Sequence, residues 1–491
     1  MVKKFLLPIT LLVGINSCVF AQDDLRAEIE ALKKQMAELK DAQSKINIDA
    51  LKKQISEVKA HDAGDNIKFD IDFRTAYDIV DYKIKNASDQ SNNIWSNKLR
   101  LGMASSPADN LVFKGALQVN KVFGNNSGAT TASYQNFDWY SSQTPDDSSV
   151  RLAEAYFLYF GNNDGKIPYT ASFGRRPSID GFMTNLREDN DSPSSPIGHN
   201  INMEFDGASF KFDLDKVSGV SGMYFKLCLG RGNSNTSGKY SDNTTSLKYI
   251  DNSTDSPNMD LIGIIGQLYD NGQYKVLANY FQAFNVMGYQ YIGATPSVRT
   301  AAGRFSDVGD MSGGALSLQI NGIGDGISDF LDDTTAFVSF AFSKTDPQGT
   351  SSTAGGVTAP NQMLGSNNSE VGTSYYMGIQ IPDMLSDGRI GFEYNHGSKY
   401  WRSFTYGEDT LIGSKLAARG DAYEIYYNKP LVGKNLTMQL RYTYVDYDYT
   451  GSDGFFGNAS GTPLTMTEAI AQGRNPVESA SNIRMYLRYR Y

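Results

Sequence analysis

The chain ends with Ile483-Arg484-Met485-Tyr486-Leu487-Arg488-Tyr489-Arg490-Tyr491, in which apolar or aromatic residues alternate with residues that are mostly arginine. The odd positions are apolar or aromatic, and three of the four even positions are arginine. Because successive side chains of a β-strand point to opposite faces, this segment predicts a strand with one apolar and one charged face. Each face therefore needs a different environment.

The same two-residue period begins at Ile67, where Ile67, Phe69, Ile71 and Phe73 alternate with charged residues. It returns in many further segments and predicts about sixteen strands, an even number that places both ends of a barrel on one side. The clearest of these segments are 99–103, 111–117, 169–173, 210–214, 223–229, 338–342, 375–381, 390–394, 423–427 and 436–444, and less regular ones lie near 150–160, 259–269, 273–284 and 311–320.

The connections between these segments fall into two classes that alternate along the chain. Short turns such as 106–110, 269–273 and 382–388 alternate with long polar loops near 123–149, 231–258, 285–310, 345–372 and 448–478. A soluble sandwich has no reason to alternate in this way, whereas a membrane barrel has two unlike ends.

Mean hydropathy is −0.39, and after the N-terminus no apolar run approaches the length of a membrane helix. In hydrocarbon every backbone amide needs a partner, so a spanning sheet must close on itself and face lipid with apolar side chains. We therefore predict an all-β transmembrane barrel of about sixteen antiparallel strands over residues 66–491. The terminal strand ending at Tyr491 resembles the last strand of outer-membrane barrels, which indicates the outer membrane of a Gram-negative bacterium.

The N-terminus predicts a signal peptide over residues 1–21, with Lys3 and Lys4 before a short apolar stretch and a cleavage site after Ala21. The alternative is a lipobox ending at Cys18, for which Asn16 fits poorly.

Residues 22–62 lack Pro and Gly and carry apolar residues at spacings of four and three, which predicts a short periplasmic α-helical coiled coil. We expect this coiled coil to join protomers of the protein. For this type of barrel we expect a homotrimer. A single helix lying against the barrel is the alternative.

Neither the composition nor the sequence motifs point to an enzyme. The formal net charge is −9, which disfavours a nucleic-acid partner. His61, His199 and His396 lie far apart, with no zinc or haem motif around them, and no catalytic elbow or phosphate loop occurs. We expect no catalytic residues, no bound metal and no cofactor. The acidic run at 188–191 is interpreted as a solvated loop rather than a calcium site.

The third long connection, between the strands near 169–175 and 200–214, combines both charge signs with Pro and Gly. We predict that it folds into the lumen as a constriction loop, the alternative being an exposed loop. The residues expected to act there are Arg175, Arg176, Asp180, Arg187, Glu188, Asp189 and Asp191.

Strand parity places a set of basic residues on the lumen side of the strands that close the barrel, against Asp70 and Asp72. This basic wall predicts a transverse field toward the third loop and a preference for small anions or zwitterions. The alternative is that some members reach water at the rim. The wall consists of Lys68, Arg74, Lys98, Arg100, Lys114, Arg441, Arg484 and Arg488.

Two positions break the parity. Glu154 shares its side with Leu152, and Ile262 and Ile264 alternate with further apolar residues. A bulge or a contact with a neighbouring protomer would explain each.

Three segments, Gly174–Gly181 with Leu186-Arg187-Glu188, Glu204–Phe212, and Arg419–Glu424, resemble an uncharacterised family of secreted Gram-negative proteins of unknown function. The resemblance covers most of the chain and implies a signal peptide, a coiled coil and a porin-like barrel, without a substrate or site residues. More distantly, the layout is similar to phosphate-selective porins, although no clear ladder of basic residues supports that specificity.

From these features we expect a porin, a passive channel for small hydrophilic solutes in contact with outer-membrane lipid. The alternatives are a structural or adhesive envelope protein and a barrel sheath for a partner cytochrome.

Overall fold

The computed structural model describes most of the chain from Ile67 onward. The described residues are 67–123, 143, 145, 148–190, 192–234, 258–289, 305–324, 326–348, 351–354, 357–360, 364–451 and 462–491. The predicted signal peptide and coiled coil lie outside them, as does Asp191.

Within the described residues, sixteen antiparallel strands form a closed barrel, in which the first strand pairs with the last. This confirms the predicted fold class and strand number. The barrel strands are β1 (Lys68–Ile84), β2 (Gln90–Ala108), β3 (Leu111–Val122), β4 (Arg151–Gly161), β5 (Tyr169–Arg176), β8 (Phe205–Asp213), β9 (Tyr224–Asn233), β10 (Met259–Asp270), β11 (Tyr274–Tyr289), β12 (Phe305–Asn321), β13 (Thr335–Pro347), β16 (Val371–Pro382), β17 (Arg389–Gly397), β18 (Gly420–Val432), β19 (Leu436–Tyr447) and β20 (Val477–Arg490).

The remaining elements are short and lie in the connections. The short strands are β6 (Gly181–Phe182) with β7 (Ser194–Ile197), and β14 (Ser351–Ala354) with β15 (Val357–Pro360). The helices are α1 (Asp215–Ser218), α2 (Asp329–Asp332), α3 (Met466–Ala471) and a 3₁₀ turn at Lys415–Ala417. No helix among the described residues has the length and apolar character needed to cross a membrane.

The two faces of the barrel wall differ as the alternation predicts. Outward side chains are apolar and exposed, for example Phe340 at 54%, Ile425 at 50% and Met485 at 49%. Inward side chains on the same strands are polar and buried, with Ser339 at 1% and Arg484 at 0%. An exposed apolar band around a closed sheet is the surface that lipid covers in a membrane barrel.

The two ends of the barrel also differ. One end, here the short-turn end, carries both termini of the barrel domain and the connections 109–110, 162–168, 214–223, 271–273, 322–334, 383–388 and 433–435. At the other, the long-loop end, the strands are joined by L1 (85–89), L2 (123–150), L3 (177–204), L4 (234–258), L5 (290–304), L6 (348–370), L7 (398–419) and L8 (448–476), of which L5 and much of L2, L4, L6 and L8 lie outside the described residues. The predicted asymmetry is confirmed, although periodicity did not mark L7 as a long loop.

The first break in parity is a β-bulge. The pairing of β3 with β4 shifts register between Ala116 and Leu117, which face Glu154 and Leu152. As a result Leu152 is 50% exposed on the outer face, whereas Glu154 binds the inward Arg100. The extra residue turns a charge away from lipid.

The second break has a different cause. Ile262 and Ile264 face outward, while Leu261 and Ile265 face inward and are buried. The inward pair packs against loops of the same chain that lie inside the barrel. Neither a bulge nor a neighbouring protomer is needed.

L3 and L7 fold back into the lumen and pair with each other. Ile201 of L3 and Phe404 of L7 form an isolated parallel bridge. Phe182 of L3 and Trp401 of L7 belong to one buried apolar cluster with wall residues of β10 to β16. One side of the lumen is therefore an apolar core, and the opposite side, from β17 through β20 to β3, remains charged.

Candidate functional site

The tip of L3 is attached to the charged wall by backbone carbonyls. The carbonyl of Arg187 accepts a hydrogen bond from Gln439 at 2.7 Å, and that of Glu188 accepts one from Arg488 at 3.1 Å and one from Arg490 at 2.9 Å. These bonds hold the tip across the lumen near the short-turn end. The prediction that L3 enters the lumen agrees with this placement.

L7 supplies an acidic anchor that the sequence analysis missed. Asp409 forms a bidentate pair with Arg74, binds Arg484 at 2.7 Å and lies 3.5 Å from the amine of Lys98. Its side chain is only 5% exposed. Three members of the predicted basic wall, drawn from β1, β2 and β20, thus share one carboxylate.

A second group of ion pairs joins both loops to β17, β18 and β19. Arg187 of L3 pairs with Glu408 of L7 and lies 3.6 Å from Glu424. Lys415 of L7 pairs with both Glu393 and Glu424. The buried cluster contains six basic side chains, Arg74, Lys98, Arg187, Lys415, Arg441 and Arg484, and six acidic ones, Asp78, Glu188, Glu393, Glu408, Asp409 and Glu424. Its formal charge is zero.

The other members of the predicted wall are also placed inside. Arg441 pairs with Glu188 at 3.2 Å, and Arg488 binds Asp72 at 2.8 Å. Arg100 pairs with Glu154. Lys68 and Lys114 are half-buried and share Ala104 as register partner, toward the short-turn end.

The predicted constriction residues separate into groups. Arg175 and Arg176 complete strand β5 rather than belonging to the loop, which corrects their assignment. Arg175 binds Glu204 at 2.9 Å, and Arg176 donates to Ser209 and lies over an aromatic ring. Asp189 accepts a bond from Arg490 through its carbonyl.

Three loop carboxylates have displaced pKa values for different reasons. Burial and the neighbouring Glu188 raise the pKa of Asp180 to about 6. Burial also opposes ionisation of Glu188, but Arg187 and Arg441 outweigh it and hold the pKa of Glu188 below its ordinary value. In the same way Arg74 and Arg484 outweigh burial and hold the pKa of Asp409 well below its ordinary value.

Several charged side chains on β1, β2 and β4 keep some exposure. Lys98 is 17% exposed, Arg100 22%, Glu154 13% and Asp72 22%, whereas the pair Arg484 and Asp78 is not exposed at all. Asp180, half-buried on L3, interacts electrostatically with Lys98. Water therefore reaches the lumen beside β1 to β4, and also beside β11, where the side chain of Lys275 is 25% exposed.

His199 attaches L3 to the opposite wall. Its two ring nitrogens lie 2.8 Å and 2.9 Å from the hydroxyls of Ser339 and Ser374. Burial lowers the pKa of His199 to about 3, so the ring is neutral at physiological pH. A neutral ring with a hydrogen bond at each of its two nitrogens is a structural anchor here. Among the described residues no group of His, Cys, Asp or Glu side chains is arranged to hold a metal ion.

The sequence matches the model of one protein family. A family model described as "Protein of unknown function (DUF3373)" matches residues 88–491. No curated protein matches the sequence.

Three solved structures that this chain resembles share 10% to 12% sequence identity with it. Pseudomonas putida OprB at high pH shares 12% identity with a TM-score of 0.45, covering 87% of this chain and 94% of OprB. Salmonella typhi OmpF in complex with daunomycin shares 10% with a TM-score of 0.44, covering 88% and 99%. The trimer form of Vibrio cholerae OmpT shares 11% with a TM-score of 0.43, covering 87% and 100%.

Proposed function

Since this chain belongs to the DUF3373 family, described as proteins of unknown function, we propose its role from its own geometry: a passive outer-membrane channel for small hydrophilic solutes, without enzymatic activity. The observation that carries the proposal is a closed sixteen-stranded barrel, apolar outside and polar inside, whose lumen is narrowed by two of its own loops. A charged, water-filled passage inside an apolar band has no use in a soluble protein.

Narrowing by L3 and L7 supports selection for small solutes. The residual passage runs past Lys98, Arg100, Glu154 and Asp180, which carry both signs of charge. The pairing of the basic wall with carboxylates gives the predicted anion preference no support, so size is proposed as the main filter.

The remaining parts of the proposal concern the segments before the barrel. We propose that residues 1–21 direct export, that residues 22–62 form a coiled coil in the periplasm, and that residues 66–491 assemble as a homotrimeric barrel. The heptad spacing of the apolar residues supports association, since a seam of this kind is buried by self-pairing.

A structural or adhesive envelope protein remains the second candidate, because the ion pairs inside the lumen would also stiffen a barrel that conducts nothing. A sheath for a cytochrome is not proposed, because L3 and L7 occupy the space that such a partner needs.

Reconstitution of the full chain in planar lipid bilayers separates the two candidates. Discrete conductance steps are expected, together with faster liposome swelling in small sugars than in large ones. A correctly folded protein that produces neither result at high protein-to-lipid ratio would favour the structural role.

Asp180 is expected to make ion selectivity depend on pH. Glu188, Lys98, Arg187 and Asp409 are the charged groups that act on it, and its pKa lies at about 6. Above that pH the carboxylate is ionised and favours cations, and below it the charge is lost. Reversal potentials in a salt gradient should therefore shift toward anion selectivity as the pH falls from 7.5 to 5, an interval that contains the pKa of Asp180 at about 6.

The matched variant is Asp180→Asn, which keeps the shape and removes the charge. It should show the low-pH selectivity of the wild type at every pH in this interval. An unchanged pH dependence in the variant would assign the transition to another group.

A further inference from the structure

A polar cavity lies between L3 and the barrel wall, on the side of L3 that faces the short-turn end. Its volume is about 270 Å³. L3 contributes Phe182, Asn185 and Asn190, while β12 contributes Gln319 and β17 contributes Arg389. Small-molecule sites usually measure roughly 300–1,000 Å³, so this cavity suits a small ligand.

The cavity is placed toward the short-turn end of the lumen. Asn321 and Thr335, which also line it, are the last residue of β12 and the first residue of β13, at the turn 322–334. Arg389 is the first residue of β17 at the next turn.

Two amide oxygens in the lining lack a hydrogen-bond donor among the described residues. The Asn185 amide donates to the carbonyl of Asn190 at 2.9 Å, but its Oδ1 accepts nothing. The Gln319 amide donates to Asn321 at 2.8 Å, but its Oε1 accepts nothing. Asn185 is 3% exposed and Gln319 is 9% exposed, so each oxygen is buried at a cost unless a ligand donates to it.

The lining also contains charged side chains of both signs, Lys275, Arg389 and Asp189. Lys275 pairs with Asp270 at 3.0 Å, and Arg389 donates to the carbonyl of Asp333 at 3.0 Å. Each cation retains further N–H donors, which can bind a neutral oxygen. The cavity therefore offers amide acceptors together with cationic donors, and with Asp270 counted its charged side chains are two basic and two acidic.

We propose that this cavity binds a small neutral polyhydroxylated solute, with hydroxyl groups donating to Asn185 and Gln319 and accepting from Lys275 and Arg389. A hydroxyl both donates and accepts, so one ligand satisfies the amide acceptors and the cationic donors together. A lone anion leaves both amide oxygens without a donor, and a lone cation leaves the donors of Lys275 and Arg389 unused. The inference rests on the proposed function, because it names the solute class of that channel.

Binding is tested on the full-length, folded protein in detergent, by titration with glucose and observation of ligand NMR signals. Wild type is expected to bind glucose in the millimolar range with an affinity that does not change between low and high salt. Gln319→Met removes the acceptor at similar volume and should weaken binding about tenfold. Gln282→Met is the matched control on β11, at a site that does not line the cavity, and should bind as wild type does.

The outcomes are distinct from those of the conductance experiment. Absence of glucose binding in the folded wild type, or equal binding by Gln319→Met, overturns the inference even when the protein conducts ions. Preferential binding of glycine over glucose also overturns it, because it assigns the cavity to a zwitterion. Glucose binding with the expected loss in Gln319→Met supports it, even if no conductance is found and the proposed channel fails.

Discussion

Shortening L7 is expected to raise single-channel conductance several-fold. L7 lies inside the barrel, where Trp401 and Phe404 pack against L3 and the apolar wall. Gly397 and Gly420 are direct register partners at the ends of β17 and β18, so a short turn can replace residues 398–419 without changing the strands. Removal of this loop widens the lumen on the side that it fills.

The matched control keeps the length of L7 and replaces residues 400–417 with Gly and Ser. This variant loses the anchoring contacts but not the chain itself, so it should give a noisy conductance between those of the wild type and the shortened barrel. Both variants also lose Asp409 and Lys415 and are expected to be less stable, so circular dichroism must first establish that each retains the sheet. If the shortened barrel conducts as the wild type does, L7 does not narrow the ion path.

Replacing Asp409 with asparagine is expected to destabilise the barrel by about 3–5 kcal/mol, because it leaves the buried Arg74 without its carboxylate partner and removes one of the two carboxylates bound by Arg484. Asp409 binds Arg74 and Arg484, whose side chains are 5% and 0% exposed, and also lies near Lys98. Reversible unfolding in urea in the presence of lipid or detergent measures the free energy of unfolding.

The matched control is Asp260→Asn, which breaks an exposed pair with Arg231 at 2.7 Å. Both of these side chains are more than two-fifths exposed, so water screens the interaction and the loss should stay below about 1 kcal/mol. Equal effects of the two substitutions would show that the buried cluster does not stabilise the fold.

The pH dependence of this stabilisation has a definite sign. Arg74 and Arg484 hold the pKa of Asp409 well below that of the unfolded chain, despite burial. Stability from this group is therefore complete above the unfolded-state pKa of an aspartate, about 3.9, and is lost as the pH falls toward the folded-state value. The Asp409→Asn variant should lack this acid-dependent component.

The lumen charges show how far parity arguments reach. Arg74, Arg441 and Arg484 are placed inward, as the alternation predicts, because a strand offers only two directions. Their partner Asp409 lies 335 residues from Arg74 and sits in a loop without a period. No local pattern connects such residues, so the wall was predicted to be basic when it is electrically balanced.

The bulge at Glu154 illustrates a related limit. Parity alone leaves open whether Glu154 faces the lumen or the lipid. The register shift opposite Ala116 and Leu117 turns it toward the lumen. A bulge changes side-chain direction by adding one residue, which the sequence shows only as a misfit.

The terminal segment from Ile483 to Tyr491 and the segments like it determined the sheet, its two faces, the strand number and the unlike ends of the barrel. These are properties of local period and of the requirement that backbone groups in lipid be paired. Only the tertiary structure decided that L3 and L7 lie together inside, that Asp409 neutralises the wall, and that Leu261 and Ile265 form a core instead of a second lipid face. The physical reason is that loop placement depends on packing and ion pairing between residues far apart in the chain, which periodicity does not encode.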